Sequence, residues 1–142
     1  MGFQPDILIT TPDGTTLVVE AKVHLANLRG AEEGLKRYMV GMQCPVGLLV
    51  TPERIWLYRD SYKARTPESI ERIGEFDANA LWRQPPPLEG PRFETFVQEW
   101  LRDLTRQRTE ELPKDVRKAL QDYVLPAIAY GEVRAAHPRY FS

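Results

Sequence analysis

The stretch that decides the fold is DILITTPDGTTLVVEAK, which occupies residues 6–22. Its two halves are rich in apolar and β-branched side chains, which is typical of β-strands. The turn signal Thr11-Pro12-Asp13-Gly14 separates them, because proline fits the second position of a turn and glycine tolerates a positive φ. The stretch therefore predicts a β-hairpin with strands at 6–10 and 15–23.

The segment that follows predicts one helix and two further strands. Asn27 is a suitable N-cap, and the apolar residues after it recur at helical spacing until Pro45 ends the helix. The run VGLLVT at 46–51 is nearly all apolar, as in a strand buried on both faces. After a short turn, IWLYR at 55–59 returns as another strand.

The second half of the chain predicts mainly helices. Residues 60–91 carry no clear pattern. An apolar stripe at helical spacing, from Phe93 to Leu104, then predicts an amphipathic helix. A further helix is predicted from about Pro113 onwards, with Pro126 bending it or ending it early.

The length of 142 residues fits a single domain. We expect an α/β (α+β) fold in which residues 1–60 form the core sheet and its helix. Residues 61–142 are expected to add an irregular connection and C-terminal helices that pack on the same domain.

The net charge of -1 excludes a strongly basic nucleic-acid coat, but it leaves a local basic face open. The longest apolar run, Val46–Val50, is too short to cross a bilayer, and one cysteine cannot form an internal disulfide. We therefore expect a cytoplasmic protein that does not contact a membrane.

The chemistry of the chain is expected at the open end of the hairpin. A three-residue loop of Pro12, Asp13 and Gly14 would pair Thr11 with Thr15. In that register Asp6 lies directly opposite Glu20, and opposite side chains in a hairpin have Cβ atoms about 4.5–5.5 Å apart. Since side chains alternate along a strand, Lys22 shares the face of Glu20.

Two carboxylates at that distance repel each other unless a cation lies between them. A hard divalent cation with oxygen ligands is the natural occupant, with the backbone carbonyl of Ala21 as a possible third ligand. Lys22 could hold a water molecule or a phosphate oxygen beside it. This set of groups favours metal-assisted hydrolysis of a phosphodiester. A solvated Glu–Lys pair on a strand is the structural alternative.

These residues resemble the PD-(D/E)xK nuclease superfamily. The resemblance rests on Pro5-Asp6 and Glu20-Ala21-Lys22, each within an apolar strand. Residues 35–60 are similar to the corresponding region of type I restriction enzyme nuclease domains, and the resemblance covers residues 3–60. In three respects the chain departs from the family pattern. A helix and a strand usually precede the Pro-Asp strand, whereas only residues 1–4 precede it here. An acidic residue often found on that helix has no counterpart, and Gly34 stands where some relatives carry glutamine.

The resemblance implies a restriction-endonuclease-like mixed central β-sheet flanked by helices. It implies a Mg²⁺- or Mn²⁺-dependent deoxyribonuclease, in restriction or repair, with Asp6, Glu20 and Lys22 as catalytic residues. The metal would be held by Asp6, Glu20 and the Ala21 carbonyl.

Partners and alternative functions follow from the same residues. DNA is the expected partner, and Arg29, Lys36 and Arg37 could line a phosphate groove near the start of the helix. A homodimer that uses the stripe from Phe93 to Leu104 is a further hypothesis, as is a larger restriction or repair assembly. One alternative function is a non-catalytic nuclease-fold subunit that binds or scaffolds such an assembly.

Another alternative is an unrelated α+β interaction domain, in which Asp6 and Glu20 would lie far apart or face opposite sides. His24 is expected to be a surface or partly buried structural histidine, and His137, in the C-terminal tail, is expected to have no role.

Overall fold

The computed structural model describes residues 4–107 and 109–136. Its centre is a mixed six-stranded sheet with the strand order β5-β4-β3-β2-β1-β6, so the sheet has two free edges and is not closed. Strands β2 and β3 are parallel, and the other neighbours are antiparallel. The strands are β1 (Ile7–Thr11), β2 (Gly14–Ala21), β3 (Val46–Val50), β4 (Arg54–Asp60), β5 (Ile70–Asp77) and β6 (Glu132–Ala135).

Helices cover both faces of the sheet. Helix α1 (Leu28–Met42) connects the parallel strands β2 and β3, and the Asn27 side chain caps its first turn by accepting from the Gly30 amide at 3.0 Å. Helix α2 (Gly90–Asp103) lies on the opposite face. A third helical segment consists of α3 (Lys114–Ala119), a π-helical stretch (Leu120–Val124) and α4 (Leu125–Ile128).

The alternation of side chains along β2 divides the core into two layers. Val18 packs with Leu35 and Met39 beneath α1, whereas Leu17 and Val19 pack on the other face with α2. Both layers are closed to solvent, since each of these five residues is 0% exposed. By the same alternation, the residue after Val19 returns to the α1 face, which is where Glu20 lies.

The loop of the first hairpin differs from the predicted loop, but the strand pairing beyond a β-bulge is the predicted one. The predicted three-residue loop is wrong, because Thr11 pairs with Gly14 and Thr10 pairs with Thr15. A β-bulge then shifts the register by one residue between Thr10 and Ile9, so that Ile9 pairs with Leu17. Beyond the bulge the pairing is the one expected from the longer loop.

The second half of the chain contributes more to the sheet than the sequence predicts. Strands β5 and β6, which were not predicted, form the two edges of the sheet. Most of the stripe from Phe93 to Leu104 is packed into the core against the chain's own sheet, and Phe96 stays partly exposed. Phe93, Val97 and Leu101 are each 0% exposed, so these residues serve the chain's own core, and the homodimer stays a prediction.

A pair of glycine substitutions tests the packing of α1 on the sheet. A Cβ on Gly47 would lie 2.7 Å from the Met39 sulfur, so Gly47→Ala is expected to destabilise the chain by about 1–3 kcal/mol. A Cβ on Gly41 meets nothing within 4 Å, so Gly41→Ala is expected to stabilise the helix by about 0.5–1 kcal/mol. Urea unfolding measures both values. Equal effects of the two substitutions would contradict this packing.

Candidate active site

The candidate site lies where the carboxyl ends of β2 and β3 meet the start of β1. The Lys22 amide donates to the Val50 carbonyl at 2.9 Å, which continues the β2–β3 ladder by one residue. The Asp6 amide donates to the Val19 carbonyl at 3.0 Å, just before the first residue of β1. These two bonds bring residues 6 and 20–22 together at one end of the sheet.

Asp6 is a buried carboxylate with two partners from the end of β2. One of its oxygens accepts the Ala21 amide at 2.8 Å, and that oxygen lies 3.2 Å from the Lys22 ammonium. The other oxygen accepts from the same ammonium at 3.3 Å. Although Asp6 is only 3% exposed, its charge is therefore both paired and hydrogen-bonded, as a buried charge requires.

Glu20 is buried at the same place but without a comparable pairing. It is 8% exposed, and no residue within 4–107 or 109–136 donates a hydrogen bond to its carboxylate. Burial raises the pKa of Glu20 to about 7, the nearby Lys22 lowers it, and the negative charge of Asp6 raises it further. A cation between Glu20 and Asp6 would relieve both the burial and the repulsion.

The backbone adds an oxygen to this pair of carboxylates. In a trans peptide the carbonyl and the following amide point in opposite directions. Since the Lys22 amide points towards β3, the Ala21 carbonyl points away from β3, to the side of β2 on which β1 and Asp6 lie. Asp6, Glu20 and the Ala21 carbonyl thus fit the ligand set that the sequence suggested.

The number of carboxylates also decides which ions suit the site. Among residues 4–107 and 109–136, no group of three or more His, Cys, Asp or Glu side chains could hold a metal ion. A pair of carboxylates is too few for a cage made wholly of protein ligands. It suits Mg²⁺, which commonly uses one or two carboxylates and completes its shell with water and substrate oxygens.

The structure brings the three expected catalytic residues together. Asp6 and Lys22 are in contact, and Glu20 is close enough for both charges to shift its pKa. An unrelated interaction domain would separate Asp6 from Glu20 or turn them to opposite sides, and the structure shows neither arrangement. His24 is exposed just after β2, and His137 lies outside the described residues.

The expected DNA-binding residues all lie on α1. Arg29 is in the first turn of the helix, and its guanidinium lies 3.9 Å from Glu33. Lys36 and Arg37 follow about two helical turns later, which places them roughly 10–12 Å further along the axis. Of the three, Arg29 is the one that follows most closely after the end of β2, where the carboxylates lie.

A partly buried hydrogen-bond network that joins α1 to β4 and β5 was not predicted. The Glu32 carboxylate on α1 accepts the Tyr58 hydroxyl of β4, and it also accepts from the Arg72 guanidinium of β5 at 2.6 and 2.7 Å. Burial raises the pKa of Tyr58, and the bond to Glu32 raises it further. The network ties α1 to the far strands of the sheet. The sequence offers no signal for it, because its members are up to 40 residues apart.

Comparison with known proteins gives no family assignment. No protein-family model, no curated protein and no solved structure matches the chain. Within the described part of the chain, no helix is long and apolar enough to cross a membrane.

The raised pKa of Glu20 predicts a specific dependence of stability on pH. Glu20 binds its proton more tightly in the folded chain than in the unfolded chain. Protonation of Glu20 therefore stabilises the folded state fully below pH 4.5, and this contribution is lost as the pH rises through about 7. Since one pKa unit corresponds to about 1.4 kcal/mol, the free energy of unfolding should fall by about 3 kcal/mol over this range. Glu20→Gln should remove this component.

Urea unfolding at several pH values between 4.5 and 8 measures the effect. The exposed Glu53→Gln, in the turn between β3 and β4, is the control and should follow the wild-type profile. Identical profiles for wild type and Glu20→Gln would show that Glu20 does not titrate as the geometry requires.

Proposed function

We propose that this chain is a metal-dependent deoxyribonuclease of the PD-(D/E)xK type that hydrolyses phosphodiester bonds. One observation carries the proposal: two buried carboxylates, Asp6 just before β1 and Glu20 in β2, lie beside the Lys22 ammonium. A fold gains no stability from burying two carboxylates together, because burial and mutual repulsion both disfavour their charged forms. A cation bound between the two carboxylates would offset both the burial and the repulsion.

Each residue has a role that follows from its place. Asp6, Glu20 and the Ala21 carbonyl would hold Mg²⁺ or Mn²⁺, which polarises the scissile phosphate and lowers the pKa of water when bound. The Lys22 side chain is 41% exposed and reaches Asp6 at 3.2 Å, so its ammonium can contact both the buried carboxylate and a group arriving from solvent. There it would hold a phosphate oxygen or orient the attacking water.

The second candidate is a binding or scaffold subunit with the same fold but no catalysis. The ion pair of Lys22 with Asp6 favours it, because this contact already balances the charge of Asp6 without a metal ion. The raised pKa of Glu20 favours the nuclease, since a protein without a metal has no need of a second buried carboxylate at this point.

Cleavage of labelled single-stranded, duplex and branched DNA with Mg²⁺ or Mn²⁺ tests the proposal. Lys22→Ala and Glu20→Gln are each expected to lower the rate at least about 100-fold, since each removes a group that stabilises charge in the transition state. Lys118→Ala, which removes an exposed lysine of α3, is the matched control and should cleave as wild type does.

The outcome separates the two candidates. Metal-dependent cleavage that is lost in both site variants establishes the nuclease and its site. If folded wild type binds DNA but cleaves none of the three substrates with either metal, the scaffold function replaces the nuclease.

A further inference from the structure

A long groove runs along the face of the molecule that carries α2. One wall is α2 and the other is the loop that includes Leu81, Arg83 and Gln84. The groove contains adjoining cavities of about 290 Å³ and about 620 Å³, which share Gln84, Phe96 and Glu99 in their linings. The larger cavity is within the usual size range of small-ligand pockets, about 300–1,000 Å³, and the smaller one is at its lower limit.

Aromatic rings line the smaller cavity. Trp82, Phe96 and Trp100 all border it, and the Trp82 ring lies edge to face with the other two at centroid distances of 5.2 and 5.4 Å. The Trp82 indole N–H donates to the Pro52 carbonyl at 2.9 Å, which fixes the ring. Trp82 and Phe96 remain partly exposed. The accessible surface of these two rings is the stacking component of a single-strand binding site.

The remaining lining suits a neutral, polar and flat group. Gln84 and Gln107 supply amides that both donate and accept hydrogen bonds, as the edges of nucleobases require. The charges in the two cavities are balanced, with Arg83 and Arg92 against Glu99 and Asp103. A groove without net charge is poorly suited to a bare phosphate backbone, but it accommodates uncharged bases.

The groove lies at the same end of the sheet as the candidate site. Pro52, which anchors Trp82, comes two residues after the end of β3. Val50, the last residue of β3, accepts the Lys22 amide. The groove and the site are on opposite faces of the sheet, and the turn between β3 and β4 separates them. A single nucleic-acid strand that contacts both would have to cross this turn.

The charges around the site favour such a strand over a duplex. Lys22, Arg29 and Arg54 lie at this end of the sheet, and each is already paired with a carboxylate at 3.2–3.9 Å. The whole chain carries a net charge of -1. Binding of duplex DNA depends largely on neutralising phosphates, and little unpaired positive charge is supplied here for that purpose.

We propose that the groove beside Trp82 and Phe96 binds unpaired bases, so that the substrate of the candidate site is single-stranded DNA or a single-stranded stretch within a larger DNA. The inference about the substrate rests on the proposed nuclease function. Base binding in the groove does not require cleavage and can be measured without it.

Fluorescence anisotropy with a labelled 12-nucleotide oligothymidylate, in EDTA, tests the proposal. The single strand is expected to bind at least tenfold more tightly than a 12-base-pair duplex. If two phosphates are contacted, raising the salt from 50 to 200 mM should weaken binding only about sevenfold, because the slope for single strands is roughly -0.7 per phosphate. Intrinsic fluorescence should be quenched, since two of the three tryptophans line the groove.

Variants locate the binding in the groove. Phe96→Leu keeps an apolar side chain but removes a ring, so the Kd should rise at least about fivefold. Phe76→Leu changes another partly buried phenylalanine, which packs in the same core but is not among the residues that line these cavities, and it should leave the Kd within twofold. Gln84→Ala alters an exposed groove residue, so it tests the groove without loss of core packing.

The proposal is overturned if the duplex binds as tightly as the single strand, or if Phe96→Leu and Gln84→Ala both bind as wild type does. It is also overturned if binding falls a thousandfold or more over the same salt range, as for a protein with many phosphate contacts. If binding depends on the groove but no cleavage occurs in Mg²⁺ or Mn²⁺, the proposed nuclease activity is refuted and base binding in the groove is supported. If cleavage is equal on both DNAs and insensitive to Phe96→Leu, the nuclease activity is supported and base binding in the groove is refuted.

Discussion

The end of the central sheet depends on the buried carboxylate of Asp6. It accepts the Ala21 amide at 2.8 Å and pairs with Lys22 at 3.2 Å, so it joins the start of β1 to the end of β2. Removing it would leave a buried amide without an acceptor, at a cost of about 1–3 kcal/mol. Glu20 lies beside this contact, where burial raises its pKa, Lys22 lowers it and the negative charge of Asp6 adds to the rise. The contact of Asp6 with the end of β2 thus stabilises the sheet and also places two carboxylates where a cation could bind.

The two faces of the sheet carry different features, the carboxylates on the α1 face and an aromatic groove on the α2 face. On the α1 face, the crossover from β2 through α1 to β3 places the carboxylates at the end of the parallel strands, and Glu32, Tyr58 and Arg72 hold α1 in position. On the α2 face, aromatic side chains that extend the core open into a groove. The buried carboxylates therefore lie on one side of the sheet and the aromatic groove on the other, and the turn after β3 lies between them.

Local signals were enough to predict the first hairpin, α1, β3 and β4, because turn residues and hydrophobic periodicity determine these elements. The approach of Asp6 to Glu20 was also predicted, but through an incorrect loop. The bulge that restores the register leaves Thr16 as the extra residue, and its hydroxyl donates to the carbonyls of Ile9 and Ala127. A partner 111 residues away cannot be read from a local pattern. Strand β5 was missed because charged residues and Gly74 interrupt its alternation, and its place is set by pairing with β4.

The central claim is that Asp6 and Glu20 form a cation site, and direct metal binding tests it without reference to any substrate. Calorimetric titration with Mn²⁺ at pH 8, where most Glu20 is ionised because its pKa is about 7, should detect one bound ion per chain. Asp6→Asn and Glu20→Gln should each abolish this binding, and the exposed Glu53→Gln should retain it. Binding of equal strength in all four proteins, or no binding to folded wild type, would contradict the account.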